Sequence, residues 1–230
     1  MAKILLSAVV GDARNKVGDA VFSTSRSGRY IRLKAAPSHP VTMFARNIRV
    51  GMKNLSISWG WVISASQRAD WIAWAANPAH TVLDVFNNSI YLTGLNWYVW
   101  VNQNLKTIGE ARRDDVPTVW EVGDPTSCTT AVGGPPYVLT VDPLIAPGAN
   151  DHAVVQAAPP LSAGRAFIGK TWRIVKHYGA AVDGPYDITT EYEDKFGPLQ
   201  AGQTINCSLF YIDDRCGKKS AIYSDTAVVP

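Results

Sequence analysis

An α+β protein is the fold class this sequence predicts: an extended N-terminal β-hairpin arm, a small Trp-rich helical unit, and a C-terminal antiparallel β-sandwich of the fibronectin or immunoglobulin kind. Three observations carry the prediction. The period of the apolar residues changes from helical to alternating near residue 116. Six of the eight tryptophans fall between positions 59 and 100. The first fifty residues show no sustained apolar period on which a core could be built. The corresponding division is 1–40, 41–115 and 116–230.

In the arm, "DAVFSTSRSGRYIRLK" reads as a hairpin turning at Ser25-Arg26-Ser27-Gly28. Ile31 and Leu33 then alternate with Tyr30, Arg32 and Lys34, giving one greasy and one basic face. Pro37 and Pro40 impose an extended path, because proline fixes φ and biases its predecessor away from helix. An isolated two-stranded hairpin is marginal in water, so the arm is expected to gain order by docking on its own body or on a neighbour. Arg26, Arg29, Tyr30, Arg32 and Lys34 are the candidate subunit contacts.

In the helical part, "MFARNIRVGMKNLSISWGWVI" has near-helical apolar spacing with weak points at Gly51 and Gly60. "SASQRADWIAWAANP" opens with Ser64 three residues before Gln67, the spacing of a capping box, and stops at Pro78. "TGLNWYVWVNQNLKTIG" opens with Thr93 as N-cap and places Leu95, Tyr98/Val99, Asn102 and Leu105 on one face. Between them, "AHTVLDVFNNSIYL" reads as a loop or short hairpin turning at Asn87-Asn88. Tryptophans at helical spacing point to an aromatic core rather than to a stacking platform for bases or sugars.

Beyond residue 116, five β-rich runs separated by Pro, Gly, Asn and Asp suit an antiparallel sandwich. Trp172, Ile174 and His177 to Tyr178 mark the core side of one strand, and Ile205, Cys207, Leu209 and Tyr211 that of another. "DITTEYEDKFG" hints at one short helix.

Charge is distributed unevenly. Residues 1–53 hold ten basic and two acidic residues, net +8, which leaves −5 on the rest of a chain whose total is +3. A basic end on a mildly acidic body is suited to head-to-tail contact with copies of itself, or to an acidic surface; nucleic acid is possible but not favoured. No apolar run approaches membrane-spanning length, and the short "ILLSAVV" reads as mature protein, so a folded protein without a membrane partner is expected.

Cys128, Cys207 and Cys216 form no C-x-x-C pair and read as buried thiols; the four histidines are scattered. No metal or cofactor is expected. "GRAFIGKT" matches the phosphate-binding pattern at Gly164, Gly169, Lys170 and Thr171. That loop works when it follows a strand and opens a helix whose amides and dipole hold the phosphates. Here Pro159 and Pro160 precede it and the strand-like "TWRIVKHYG" follows, so the match is judged accidental. With no nucleophile elbow and no Cys–His arrangement either, no catalytic residue is assigned.

Four stretches together resemble virion structural proteins of tailed bacteriophages and prophages. They are "SRSGRYIRLKAAPSHPVT" with Arg46 and Arg49 after it, "LSISWGWVISASQRADWIAWA", "LTGLNWYVWVNQNL", and "GPYDITTEYEDKFGPLQAGQTINCSLFYID". The resemblance implies a non-enzymatic particle component, assembled in the host cytoplasm and located in the virion. Its implied partners are copies of itself and other virion proteins such as the major capsid protein. A head-associated auxiliary or decoration role leads, a tail or baseplate role follows. An adhesion or carbohydrate-binding module, with loops such as 164–170 as its site, is the alternative from another class.

Overall fold

The computed structural model describes residues 2–3, 15–17, 20–25, 28–33, 43–83, 88–162 and 172–230. The class is α+β, with four α-helices and only antiparallel strand pairing among the described residues. The chain divides into two compact units, Met1–Trp97 and Tyr98–Pro230.

In the first unit, β3 (Ala20–Ser25) and β4 (Gly28–Leu33) form the expected hairpin, with Ser25 opposite Gly28. The sequence suggested two strands. Short β1 (Ala2–Lys3) and β2 (Asn15–Val17) add to the outer edges, giving a four-stranded sheet in the order β1-β4-β3-β2. Strands of two and three residues are too brief to show a period, which is why alternation in the sequence did not reveal them.

Helix α1 (Met43–Trp61) and α2 (Ala65–Ala75) follow. The capping box is formed: the Gln67 amide donates to Ser64 Oγ (3.1 Å), and the Ser64 amide donates to Gln67 Oε1 (3.0 Å). Pro78 begins a single 3₁₀ turn, Pro78–His80, and the segment after it is the short hairpin β5 (Thr81–Leu83) with β6 (Ser89–Tyr91). Helix α3 (Gly94–Thr107) opens with the Asn96 amide donating to Thr93 Oγ1 (3.1 Å).

The core of this unit holds Leu55, Ile63, Trp71, Ala75 and Trp97. Trp74 stacks on His80 at 3.6 Å and meets Trp71 and Trp97 edge-on at 5.7 and 5.5 Å, the offset geometries that ring quadrupoles favour. His80 Nδ1 lies 2.7 Å from the Trp74 carbonyl. Gly94 is required where α3 begins, since a Cβ there would stand 2.9 Å from the Ile72 nitrogen.

The second unit contains β7 (Cys128–Val132), β8 (Leu139–Pro143), β9 (Asp151–Ala157), β10 (Arg173–Ala180), β11 (Tyr186–Asp187), α4 (Thr189–Phe196), β12 (Thr204–Asp213) and β13 (Tyr223–Val228). They form a four-stranded sheet in the order β10-β9-β12-β13 and a three-stranded sheet in the order β11-β8-β7. Both sheets and α4 contribute to one apolar core that includes Leu139, Val141, Val155, Ile188, Tyr192, Ile205, Leu209 and Tyr211.

The expected inward set of β12 is buried, and so are its alternate residues Asn206, Ser208, Phe210 and Ile212, so the strand is covered on both faces. On β10 the expectation needs correction. Val175 is the buried residue, while Trp172 and Ile174 are half-buried and His177 is exposed. The buried residue lies at a bulge: Ile174 pairs with Gln156 and Lys176 with the next residue, Val155, so Val175 is the extra residue, and it is the one turned into the core.

Candidate interaction surfaces

Strand register sorts the hairpin residues by face. Arg29, Ile31 and Leu33 share a face with Thr24, Phe22 and Ala20, whereas Tyr30 and Arg32 share the other with Ser23 and Val21. Lys3, opposite Tyr30, and Lys16, opposite Val21, fall at positions on that second face. Arg29 is thereby separated from Tyr30 and Arg32. Arg26 and Lys34 lie outside the described residues.

Helix α1 carries the more distinctive surface. Its inward strip is narrow and small, made of Gly51, Leu55 and Ser58 at i, i+4 and i+7. The opposite side presents Arg46, Arg49 and Lys53, all exposed, with no acidic residue anywhere in the helix. Beside them stand Val50, Ile57 and Trp61 at i, i+7 and i+11, with exposures of 46%, 47% and 88%. The aromatic-core expectation therefore holds for Trp71 and Trp97 and fails for Trp61. On the helix wheel Trp61 falls about 120° from Leu55, outside the narrow inward strip of Gly51, Leu55 and Ser58.

An apolar groove of about 670 Å³ is lined by Trp59, Ile72, Ala75, Tyr91, Leu92 and Leu95. Ile72 and Tyr91 are themselves more than half exposed.

The second unit carries a contrasting patch. Leu144, Ile145 and Val182 are exposed at 71%, 51% and 42%, beside exposed Asp142 and Asp183. Two buried tyrosines fasten the loops that carry it: Tyr211 Oη donates to the Ile145 carbonyl (2.5 Å) and Tyr186 Oη to the Val182 carbonyl (2.7 Å). Asp142 closes on the second loop, since a Cβ on Gly184 would lie 2.7 Å from its Oδ1. Burial pushes both phenols well above their ordinary range, and the charges of Asp183 and Asp142 add to the effect at each.

A smaller polar cleft of about 240 Å³ lies over two buried carboxylates that face each other across β9 and β12, Asp151 and Asp213. Asp151 Oδ2 accepts from the amides of Gly123 (2.9 Å) and Gly148 (3.1 Å). Asp213 accepts from the Arg215 and Cys216 amides (2.8 and 3.1 Å) and from the Arg215 guanidinium (2.7 Å). These bonds close loops. Both glycines are needed, because a Cβ on either would stand within 2.8 Å of Asp151 Oδ2.

Cys128, Cys207 and Cys216 are buried free thiols, raised by burial to about 11, 12 and 11. Among the described residues no three His, Cys, Asp or Glu side chains converge as a metal site, and no helix is long and apolar enough to cross a membrane. Gly164, Gly169, Lys170 and Thr171 lie outside the described residues. Comparison with protein-family models, curated proteins and solved structures finds no match to this chain.

Proposed function

We propose that the chain is a non-enzymatic structural component of a bacteriophage particle, a head-associated auxiliary or decoration protein that joins neighbouring subunits through its N-terminal part. The observation that carries the assembly role is the outward face of α1, where Val50, Ile57 and Trp61 are exposed on a helix whose charged residues, Arg46, Arg49 and Lys53, are all basic. Contiguous apolar surface of this kind marks a contact with another macromolecule. Arg29 and Arg32 of the hairpin add basic positions at the same end of the sequence. The virion assignment rests on the resemblance of the four quoted stretches to particle proteins.

For the second unit the reading is a fibronectin- or immunoglobulin-like sandwich. Two antiparallel sheets drawing on one core support it, as does the Tyr186 hydroxyl bonded to a carbonyl four residues upstream, the arrangement of a tyrosine corner. Such a domain serves as a rigid spacer in an assembly.

The test is to quantify this protein against the major shell protein in purified particles by mass spectrometry. A copy number comparable with the shell subunits supports the head role. A number matching one ring or tip moves the protein to the tail or baseplate, and absence overturns the virion reading.

A further inference from the structure

We infer that the outward face of α1 in one copy docks on the Asp142–Ile145 and Val182–Asp183 patch of a second copy. The inference rests on the assembly reading above and names the partner of that surface. The two patches match in both chemistries. Arg46, Arg49 and Lys53 offer cations without a counter-charge in their helix, and Asp142 and Asp183 offer exposed carboxylates. Val50, Ile57 and Trp61 offer apolar area, and Leu144, Ile145 and Val182 offer the same.

A polyanion such as nucleic acid would satisfy the three bases and leave Trp61, Ile57 and Val50 facing phosphate and water. A surface carrying acidic and apolar groups together satisfies both, and this chain displays one. The tyrosine hydroxyls that hold the Ile145 and Val182 carbonyls keep the acidic patch in shape before contact, which lowers the ordering cost of binding. Complementary charge also fixes register and excludes like-charged pairings of α1 with α1.

The two surfaces differ, so the contact is heterologous. Each copy uses α1 toward one neighbour and the acidic patch toward another, which generates a ring or an open string according to the rotation per subunit. A two-fold dimer is not what this pairing makes.

The test is sedimentation of the full chain over a concentration series, with two charge-reversed variants. One carries Arg46→Glu and Lys53→Glu, the other Asp142→Lys and Asp183→Lys. The wild type is expected to self-associate, more weakly as salt rises. Each variant alone is expected to associate at least about tenfold more weakly, since like charges then face each other. An equimolar mixture of the two is expected to restore association, because the wild-type α1 of one meets the wild-type patch of the other. Trp61→Ala is expected to weaken association without changing its salt dependence. Circular dichroism of each unmixed variant checks that it is folded.

A wild type that stays monomeric throughout overturns the inference, and so does association unaffected by either reversal or a mixture that fails to restore it. Binding of an oligonucleotide duplex or of anionic phosphatidylserine vesicles that is lost with the α1 reversal and kept with the patch reversal, in a chain that does not self-associate, overturns it in favour of that anionic partner. A monomeric chain that is nevertheless found in particles loses this inference and keeps the virion reading. Self-association with restoration on mixing, in a chain absent from particles, keeps this inference and loses that reading.

Discussion

Asn102 is the residue whose replacement tests the packing logic of the second unit most sharply. It sits on α3, is 3% exposed, and uses its whole amide: Nδ2 donates to the Tyr98 carbonyl (2.9 Å) and the Arg113 carbonyl (3.0 Å), while Oδ1 accepts from the Arg113 amide (2.7 Å). The side chain thus replaces a strand partner for Arg113 and pins the segment after the helix. Asn102→Ala leaves both backbone groups of Arg113 without their partner. Unsatisfied groups cost about 1–3 kcal/mol each when fully buried, and these are partly buried, so a loss of about 2–3 kcal/mol is expected.

For a chain of this size that is a fall of about 4–12 °C in the transition of this unit, read by calorimetry. Asn102→Asp keeps the acceptor for the Arg113 amide and turns a carboxylate oxygen toward two carbonyls. It is expected to be worse than alanine at neutral pH. Its folded pKa is then raised above the unfolded value of about 3.9, so the folded state binds the proton more tightly, and the variant regains stability as pH falls through the folded pKa. If Asn102→Ala costs under about 0.5 kcal/mol, or Asn102→Asp shows no recovery in acid, the hydrogen-bond account of this residue is refuted.

Four further outcomes are expected. Gly217→Ala loses about 2 kcal/mol or more, because φ is +65° and the new Cβ would lie 2.7 Å from the Val101 carbonyl, whereas Gly202→Ala, with φ +79° and open space around it, loses only the conformational part of about 1 kcal/mol; equal losses in urea unfolding would contradict the steric argument. The three thiols, raised by burial to about 11, 12 and 11, are expected to ignore an aromatic disulfide reagent at mildly alkaline pH until denaturant is added. The Thr189 hydroxyl and amide hold the Asp187 carboxyl below its ordinary range, so its contribution is present above the unfolded pKa and fades as pH falls through the folded one; the stability gap between wild type and Asp187→Asn should shrink below about pH 4. Saturating Mg²⁺-ATP is expected to leave the thermal transitions unmoved, and a rise that Lys170→Ala abolishes would show that the phosphate-loop pattern is real.

The parts of the fold that sequence exposed are those fixed by local chemistry. Ser64 with Gln67 and Thr93 with the Asn96 amide are contacts within one turn, and both helices begin where those residues stand. The hairpin was legible for the same reason, since Ile31 and Leu33 alternate with Tyr30 and Arg32 across a short turn. Where one inserted residue decides the outcome, periodicity failed: the buried residue of β10 is Val175, the extra residue of a bulge, which no alternation marks. Sequence could not bring Asp142 to Asp183 either, because only the β8–β11 pairing and the close approach of Gly184 do so. The core expectation, drawn from the helical spacing of the tryptophans as a group, fails at Trp61, which falls outside the narrow inward strip of Gly51, Leu55 and Ser58.

Strand β12 lies between β9 and β13 and is covered on both faces, and this has a bearing on how the chain is made. On a ribosome β9, nearly all of whose residues end up buried, emerges while residues 158–203 are still to be added, so its central partner does not yet exist. β10 can cover one edge of β9 soon after it emerges, but the other edge of this apolar strand stays open until β12 is made, a state prone to wrong pairing with other nascent chains. Lower growth temperature or slower initiation should raise the folded yield of the whole protein more than any change confined to the finished surface.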